Sequence, residues 1–182
     1  MNQLEKKDLP RSGSALYNLN HKNDKIRNKT LKKWRLANKI FVIPLYRLQI
    51  LPCLGFGRIF LIIKTIGRKT GKKRRTPVEY HWIDNIITVF SGRGDNAGWI
   101  KNIKHNPDKV WVKHGFHKFH TKVTFVNNEQ DKLTLFKWYV THHSRSAKML
   151  FGWDPKQDDP ETADFSDMLN IITIIQLHPK NR

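Results

Sequence analysis

A chain of 182 residues with 38% hydrophobic residues, six Trp and ten Phe is long enough to bury a sizeable core. Its 34 Lys and Arg against 15 acids give a net charge of +19, which draws polyanions of any kind, whether nucleic acid, an anionic bilayer or a tailed cofactor. One cysteine, Cys53, excludes an intramolecular disulfide and any cysteine-cluster metal site, so a reducing cytoplasm is the default expectation.

Residues 1–25 are polar and charged, without the apolar run of a secretory signal, and read as a flexible basic arm. From Ile26 the pattern turns helical. Leu31, Trp34, Leu36, Ala37, Ile40, Phe41 and Leu45 make a broad apolar stripe opposite Lys32, Lys33, Arg35 and Lys39, with Pro44 ending or kinking the helix. Such a stripe is expected to pack on the body of the domain; the alternative is a peripheral contact with an anionic membrane. A transmembrane span is not expected, because Ile40 to Ile63 is broken by Arg47, Arg58, two prolines and two glycines. Apolar neighbours on either side make Cys53 a buried structural thiol by expectation.

Gly55, Phe56 and Gly57 read as a turn before a strand from Arg58 to Thr65. The stretch Ile66 to Tyr80 then forms a basic hairpin: Gly67 and Gly71 free the backbone, and Lys64, Arg68, Lys69, Lys72, Lys73, Arg74 and Arg75 carry positive charge with no acid among them. The spacing is not that of a Walker phosphate loop, since three residues separate the glycines and Lys72-Lys73 follows. A solvated basic turn, a nucleic-acid patch and a site for an anionic small molecule all remain open at this point. Thr76 to Trp82, a tight Asp84-Asn85 turn and Ile86 to Phe90 continue a β-meander. Ser91 closes that strand and Gly92, Arg93 and Gly94 break it, ahead of a helix near Asn96 on which Trp99 and Asn102 share a face. Backbone N–H groups there suit an oxyanion.

Two further strands surround His114-Gly115, with His117 and His120 on an outer strand at a spacing that does not suit a metal. Asn127 and Gln130 are spaced as a capping box for a helix to about His143. The aromatic segment Met149 to Trp153 either packs as a loop or closes over a planar ligand, the acid-rich stretch 154–167 reads as a solvated loop, and Leu169 to Leu177 as a last strand.

The motifs Gly67-Arg68-Lys69-Thr70-Gly71, Arg74-Arg75-Thr76-Pro77, Ser91-Gly92-Arg93-Gly94-Asp95, and Trp99 with Asn102 ahead of Asn106-Pro107, resemble the deazaflavin-dependent nitroreductase family over roughly residues 58 to 126. The resemblance implies an α+β, mainly antiparallel fold, a split β-barrel of the FMN-binding-like kind with flanking helices, occupying residues 26–182 as one domain. It implies an oxidoreductase that uses coenzyme F420, with FMN as the alternative cofactor, and passes a hydride to a small organic acceptor such as a quinone, enone or nitro compound. Cofactor-binding positions carried over from the family are Arg68, Lys69, Thr70, Arg74, Arg75, Thr76, Pro77, Ser91, Gly92, Arg93, Gly94, Trp99 and Asn102. Ser91 is also the candidate hydrogen-bond or proton donor. Glu79 and Trp153 fall on the substrate side, and Glu79 stands where some relatives place an aromatic residue. Relatives are monomers or dimers. A nucleic-acid-binding protein is the rival reading, although the hairpin Gly67 to Arg75 contains no aromatic residue for base stacking.

Overall fold

The computed structural model describes residues 9–48, 50–55 and 59–180. The turn expected at Phe56 and Gly57, and Arg58 at the start of the following strand, lie outside them. The chain divides into two compact units, residues 1–31 with 127–172, and residues 32–126 with 173–182.

The second unit is the barrel. Its strands are β1 (Phe60–Ile66), β2 (Lys73–Glu79), β3 (His81–Ile83), β4 (Ile86–Ser91), β5 (Trp111–His114), β6 (His117–Val126) and β7 (Thr173–Pro179). They form one antiparallel sheet in the order β2-β1-β5-β6-β7-β4-β3. The sheet is two four-stranded halves that share β6, and it curls until β2 touches β4. This is the expected mainly antiparallel split barrel. Asp84 and Asn85 both take positive φ, 49° and 62°, as a two-residue hairpin with right-handed strand twist requires. Pro77 is tolerated because β2 is an edge strand, where a missing N–H costs no ladder bond.

The interior is filled by Leu61, Ile63, Ile87, Val89, Ile175 and Leu177 from the strands, with Ile100 and Ile103 from a helix between β4 and β5. Each large aliphatic side chain so buried contributes about 1.5–3 kcal/mol. Tyr80 is buried with them, and its hydroxyl donates to His114 Nε2 at 2.5 Å. Burial raises the Tyr80 pKa, with Tyr46 adding to it, and burial lowers that of His114, with His117 adding to it, so both stay neutral and the proton stays on the phenol. His114 is therefore a packed residue. β6, expected as an outer strand, lies in the middle of the sheet, because both its edges are paired.

Before the barrel come helices α2 (Asp24–Ala37), a π-helical turn (Asn38–Val42), α3 (Ile43–Arg47) and α4 (Ile50–Cys53). Pro44 falls in the first turn of α3, so the helical path continues past it through the π turn. No described residue of α2 is buried. Of the stripe expected to pack on the body, Trp34, Leu36, Ala37, Ile40 and Phe41 are exposed while Leu31 and Leu45 are half-buried, and Cys53, which was expected to be buried, is exposed. Tyr46 is the one buried side chain of α3: its hydroxyl accepts from the Gly115 N–H at 2.9 Å and donates to the Phe60 carbonyl at 3.1 Å.

The first unit contains α1 (Ala15–Leu19), α6 (Glu129–His142), α7 (Ser144–Phe151) and α8 (Ser166–Ile171) around Phe136, Tyr139, Phe151, Phe165 and Met168. Part of the stretch expected to be a flexible arm is built into it. Leu9, Leu16 and Leu19 are buried, and Arg11 forms a bidentate pair with Asp158 at 2.6 and 2.8 Å. The cap of α6 is Asn128, one residue later than expected, its side chain accepting from the Asp131 N–H. Met168 and Leu169 belong to α8, so the last strand begins only at Thr173; a short apolar run does not distinguish a buried strand from a buried helical turn.

The Arg11 pair gives the stability of this unit a pH dependence. Burial opposes ionisation of Asp158, but hydrogen bonds from Arg11 and the Asp154 N–H outweigh it, so the pKa lies below the usual 3.8. The stabilisation is complete above 3.8 and lost as pH falls through the lower folded value. The urea midpoint should fall in that acid window in the wild type, and Asp158→Asn should flatten the profile.

Candidate active site

The basic hairpin joins β1 to β2 and is held by its own backbone. The Gly67 N–H donates to the Lys72 carbonyl at 2.9 Å, the Gly71 N–H returns to the Gly67 carbonyl at 2.8 Å, and Gly71 sits at φ +64°. A Cβ on Gly67 would come within 3.2 Å of both the Lys72 carbonyl and Thr70 Oγ1, so the tight turn favours glycine there. Register places Thr65 opposite Arg74 and Lys64 opposite Arg75.

Arg68, Lys69, Lys72, Lys73, Arg74 and Arg75 are all exposed. Among the described residues none of the six forms an ion pair. Their charge is felt locally. Lys64, whose ammonium sits 5.1 Å over the Trp111 ring, has its pKa lowered by burial first and then by Lys118, Lys73 and Arg75. A folded chain keeps so many like charges together only at a cost in self-repulsion, which a bound anion would relieve.

Helix α5 (Gly98–His105) fixes this hairpin to the barrel through one side chain. Asn102 is buried; its Oδ1 accepts from the Arg68 N–H at 3.2 Å and from Arg68 Nη1 at 3.4 Å, and its Nδ2 donates to Thr65 Oγ1 at 3.3 Å. Asn102 thus positions the hairpin. Trp99, three residues earlier, is partly buried against the barrel core. Between β4 and α5, Gly94–Asn96 forms a 3-10 turn, and the buried Ser91 hydroxyl donates to the Gly94 carbonyl at 3.3 Å. Asp95, at the rim of this loop, pairs with Lys104 at 2.6 Å and accepts from the Thr173 hydroxyl at 2.9 Å. Arg93 is half-buried beside it.

Thr76 and Pro77 are half-buried on β2, opposite Ile63 and Ile62, and Glu79 ends that strand with a carboxylate oxygen 3.6 Å from His81 Nε2. The Asn102 bonds therefore tie α5 to the hairpin, within one unit. Trp153 belongs to the other unit, where it is 2% exposed and lies against Phe165 with ring centroids 5.4 Å apart. It is a core residue, which is the packing alternative already open for its segment. The contributions of Tyr46, Tyr80 and His114 to the same unit were not evident in the sequence, because their partners are far apart along the chain.

A curled antiparallel sheet whose edge carries a cationic hairpin, with a glycine-rich strand-to-helix loop, is a split β-barrel. The chain belongs to the F420H(2)-dependent quinone reductase family, whose sequence model matches residues 54–148. No curated protein sequence matches it. Similar solved structures are remote. An F420-H2 dependent reductase is 19% identical at a TM-score of 0.45, covering 66% of this chain and 95% of its own. A pyridoxamine 5'-phosphate oxidase-related, FMN binding protein from Nostoc punctiforme is 14% identical at 0.46, covering 79% and 80%. A domain-swapped dimer is 19% identical at 0.45, covering 75% and 98%.

Proposed function

We propose that this protein binds coenzyme F420 at the basic hairpin and passes a hydride between the deazaflavin and a small organic acceptor, a quinone, an enone or a nitro compound. The observation that carries the reading is the set of six exposed hairpin cations, without a carboxylate partner among the described residues, on a hairpin held by Asn102. Guanidinium and ammonium groups with free N–H donors match a phosphate and glutamate carboxylates, so the residues present fit the group. Family membership supports the same cofactor. When bound, the deazaflavin supplies the hydride chemistry, and the protein binds, orients and excludes water.

Each residue has a part in this. Arg68, Lys69, Arg74 and Arg75 neutralise phosphate and carboxylates, Thr70 and Gly71 shape the turn that presents them, and Arg93 with the Gly92 and Gly94 backbone receives an oxyanion at the second loop. Thr76 and Pro77 border the ring plane and Glu79 the acceptor. Ser91 holds the loop through Gly94; to donate to a reacting group its hydroxyl must leave that carbonyl. Ser91→Ala should therefore weaken cofactor binding about threefold to tenfold, the worth of one ordinary hydrogen bond, with the pH profile of turnover unchanged. A changed pH profile would make Ser91 the proton donor instead.

Fluorescence-quenching titration with oxidised F420 beside FMN, at low and high salt, tests the proposal. Tight and F420-selective binding is expected, weakening as salt rises. Equal, weak binding of both, or preferential binding of RNA, would sink it.

A further inference from the structure

We infer that Glu79, backed by the buried His81 and Thr88, is the proton donor to the acceptor. This rests on the proposed hydride transfer and assigns the proton that the transfer requires. A hydride brings two electrons and one hydrogen nucleus, and the acceptor oxygen that gathers the negative charge then needs a proton. The Ser91 hydroxyl already gives its own to the Gly94 carbonyl.

Strand β2 sets the order of the parts. Arg75, Pro77 and Glu79 stand opposite Lys64, Ile62 and Phe60 of β1, and residues two apart on a strand share a face, so a cation, a proline and an acid follow one another along one side of β2. With the anionic tail held at Arg75 and the ring bordered by Pro77, Glu79 is the next side chain along. The chain then enters β3, where His81 Nε2 lies 3.6 Å from a Glu79 carboxylate oxygen. Exposure separates their roles: the Glu79 side chain keeps 25% and can reach a ligand, whereas that of His81 keeps 5% and acts only through Glu79.

Behind the pair stands Thr88. Register sets it on β4 opposite His81, whose imidazole also meets the Phe90 ring edge-on, with centroids 5.9 Å apart. Thr88 is fully buried, and its Oγ1 has no hydrogen-bond partner among the described residues. A valine of the same shape would avoid the penalty of burying an unpaired hydroxyl, so the hydroxyl calls for a role. That role is to orient the imidazole, leaving the other ring nitrogen toward Glu79. In the transfer, the carboxyl O–H bond of Glu79 breaks as an O–H bond forms on the acceptor, and both electrons arrive with the hydride. His81 then gives its ring proton to the carboxylate, and after product leaves the pair regains one proton from water through Glu79, its exposed member.

Turnover of benzoquinone and of cyclohex-2-enone with reduced F420, beside F420 quenching titrations, tests this. F420 affinity should be unchanged in every variant, which separates this inference from the cofactor reading; a wild type that fails to bind F420 would overturn that reading and this one with it. Glu79→Gln should lower kcat about a hundredfold, the usual worth of a general acid, with KM little changed. Glu79→Asp should recover part of the loss, and added formate should recover part of it in Glu79→Ala. His81→Asn should lower kcat in the wild type and add nothing in Glu79→Gln, because it acts through that carboxylate. Thr88→Val, which removes only the unpaired hydroxyl, should lower kcat without lowering the urea midpoint. Unchanged kcat in Glu79→Gln, a His81→Asn loss that multiplies with that of Glu79→Gln, or Thr88→Val turning over as wild type does would overturn the inference. Where neither acceptor turns over, or His81→Asn does not fold, the free protein decides by NMR: the ring-nitrogen signals of His81 should move on Glu79→Gln while those of His114 stay, and unmoved His81 signals would equally overturn it.

Discussion

Replacing Lys69 and Arg74 together by alanine should weaken F420 binding about a hundredfold. Each lost charge-assisted hydrogen bond is worth about 1.5–3 kcal/mol when desolvated, and both side chains are exposed, so the lower end applies. Among the described residues neither makes an ion pair, so removing them leaves no carboxylate stranded there and the melting temperature should stay within a degree or so. Fluorescence quenching measures the affinity, and its slope with salt should flatten because two counter-charges have gone. The same titration with FMN, which lacks the glutamate tail, should show a much smaller change. A variant that binds F420 as wild type does would move the cofactor off the hairpin altogether.

The single change Asn102→Ala should reach both stability and affinity. It removes the acceptor of the Arg68 N–H and the donor to the Thr65 hydroxyl, both at a buried position. Leaving such groups without partners costs about 1–3 kcal/mol, visible as a lower urea midpoint. The hairpin would also lose its tether to α5, so its cations would be ordered only on binding, and F420 affinity should drop about tenfold as pre-organisation is lost. Affinity falling without any loss of stability would instead place Asn102 in direct contact with the ligand.

The hairpin was legible in the sequence because it is local. The glycines, the cations and the Arg74-Arg75-Thr76-Pro77 run lie on one hairpin, whose paired register follows from two flanking strands. The Asp84-Asn85 turn was legible for the same reason. Long-range partnerships were not. The bond from Asn102 to Arg68 closes 34 residues of sequence and that from Arg11 to Asp158 closes 147, and no periodicity announces either. Cys53 and the α2 stripe were misjudged for a related reason: apolar neighbours argue for burial only if a partner surface exists. Helix α8 was missed because Met168 and Leu169 continue an apolar run that a strand would explain equally well.

The order of strands in the sheet sets the order in which the barrel can assemble. β7 lies between β6 and β4, and Ile87 pairs with Leu177, so four-strand halves cannot be joined until residues 173–179 are available. Everything from 127 to 172 must be synthesised first. Before that moment β4 has an open edge, and Val89 and Ile87 have no β7 side chains to pack on. High contact order of this kind slows folding and lengthens exposure of unpaired strands. A ribosome-bound chain ending before β7 would therefore remain protease-sensitive in β4, and release of the last strand would convert it in one cooperative step.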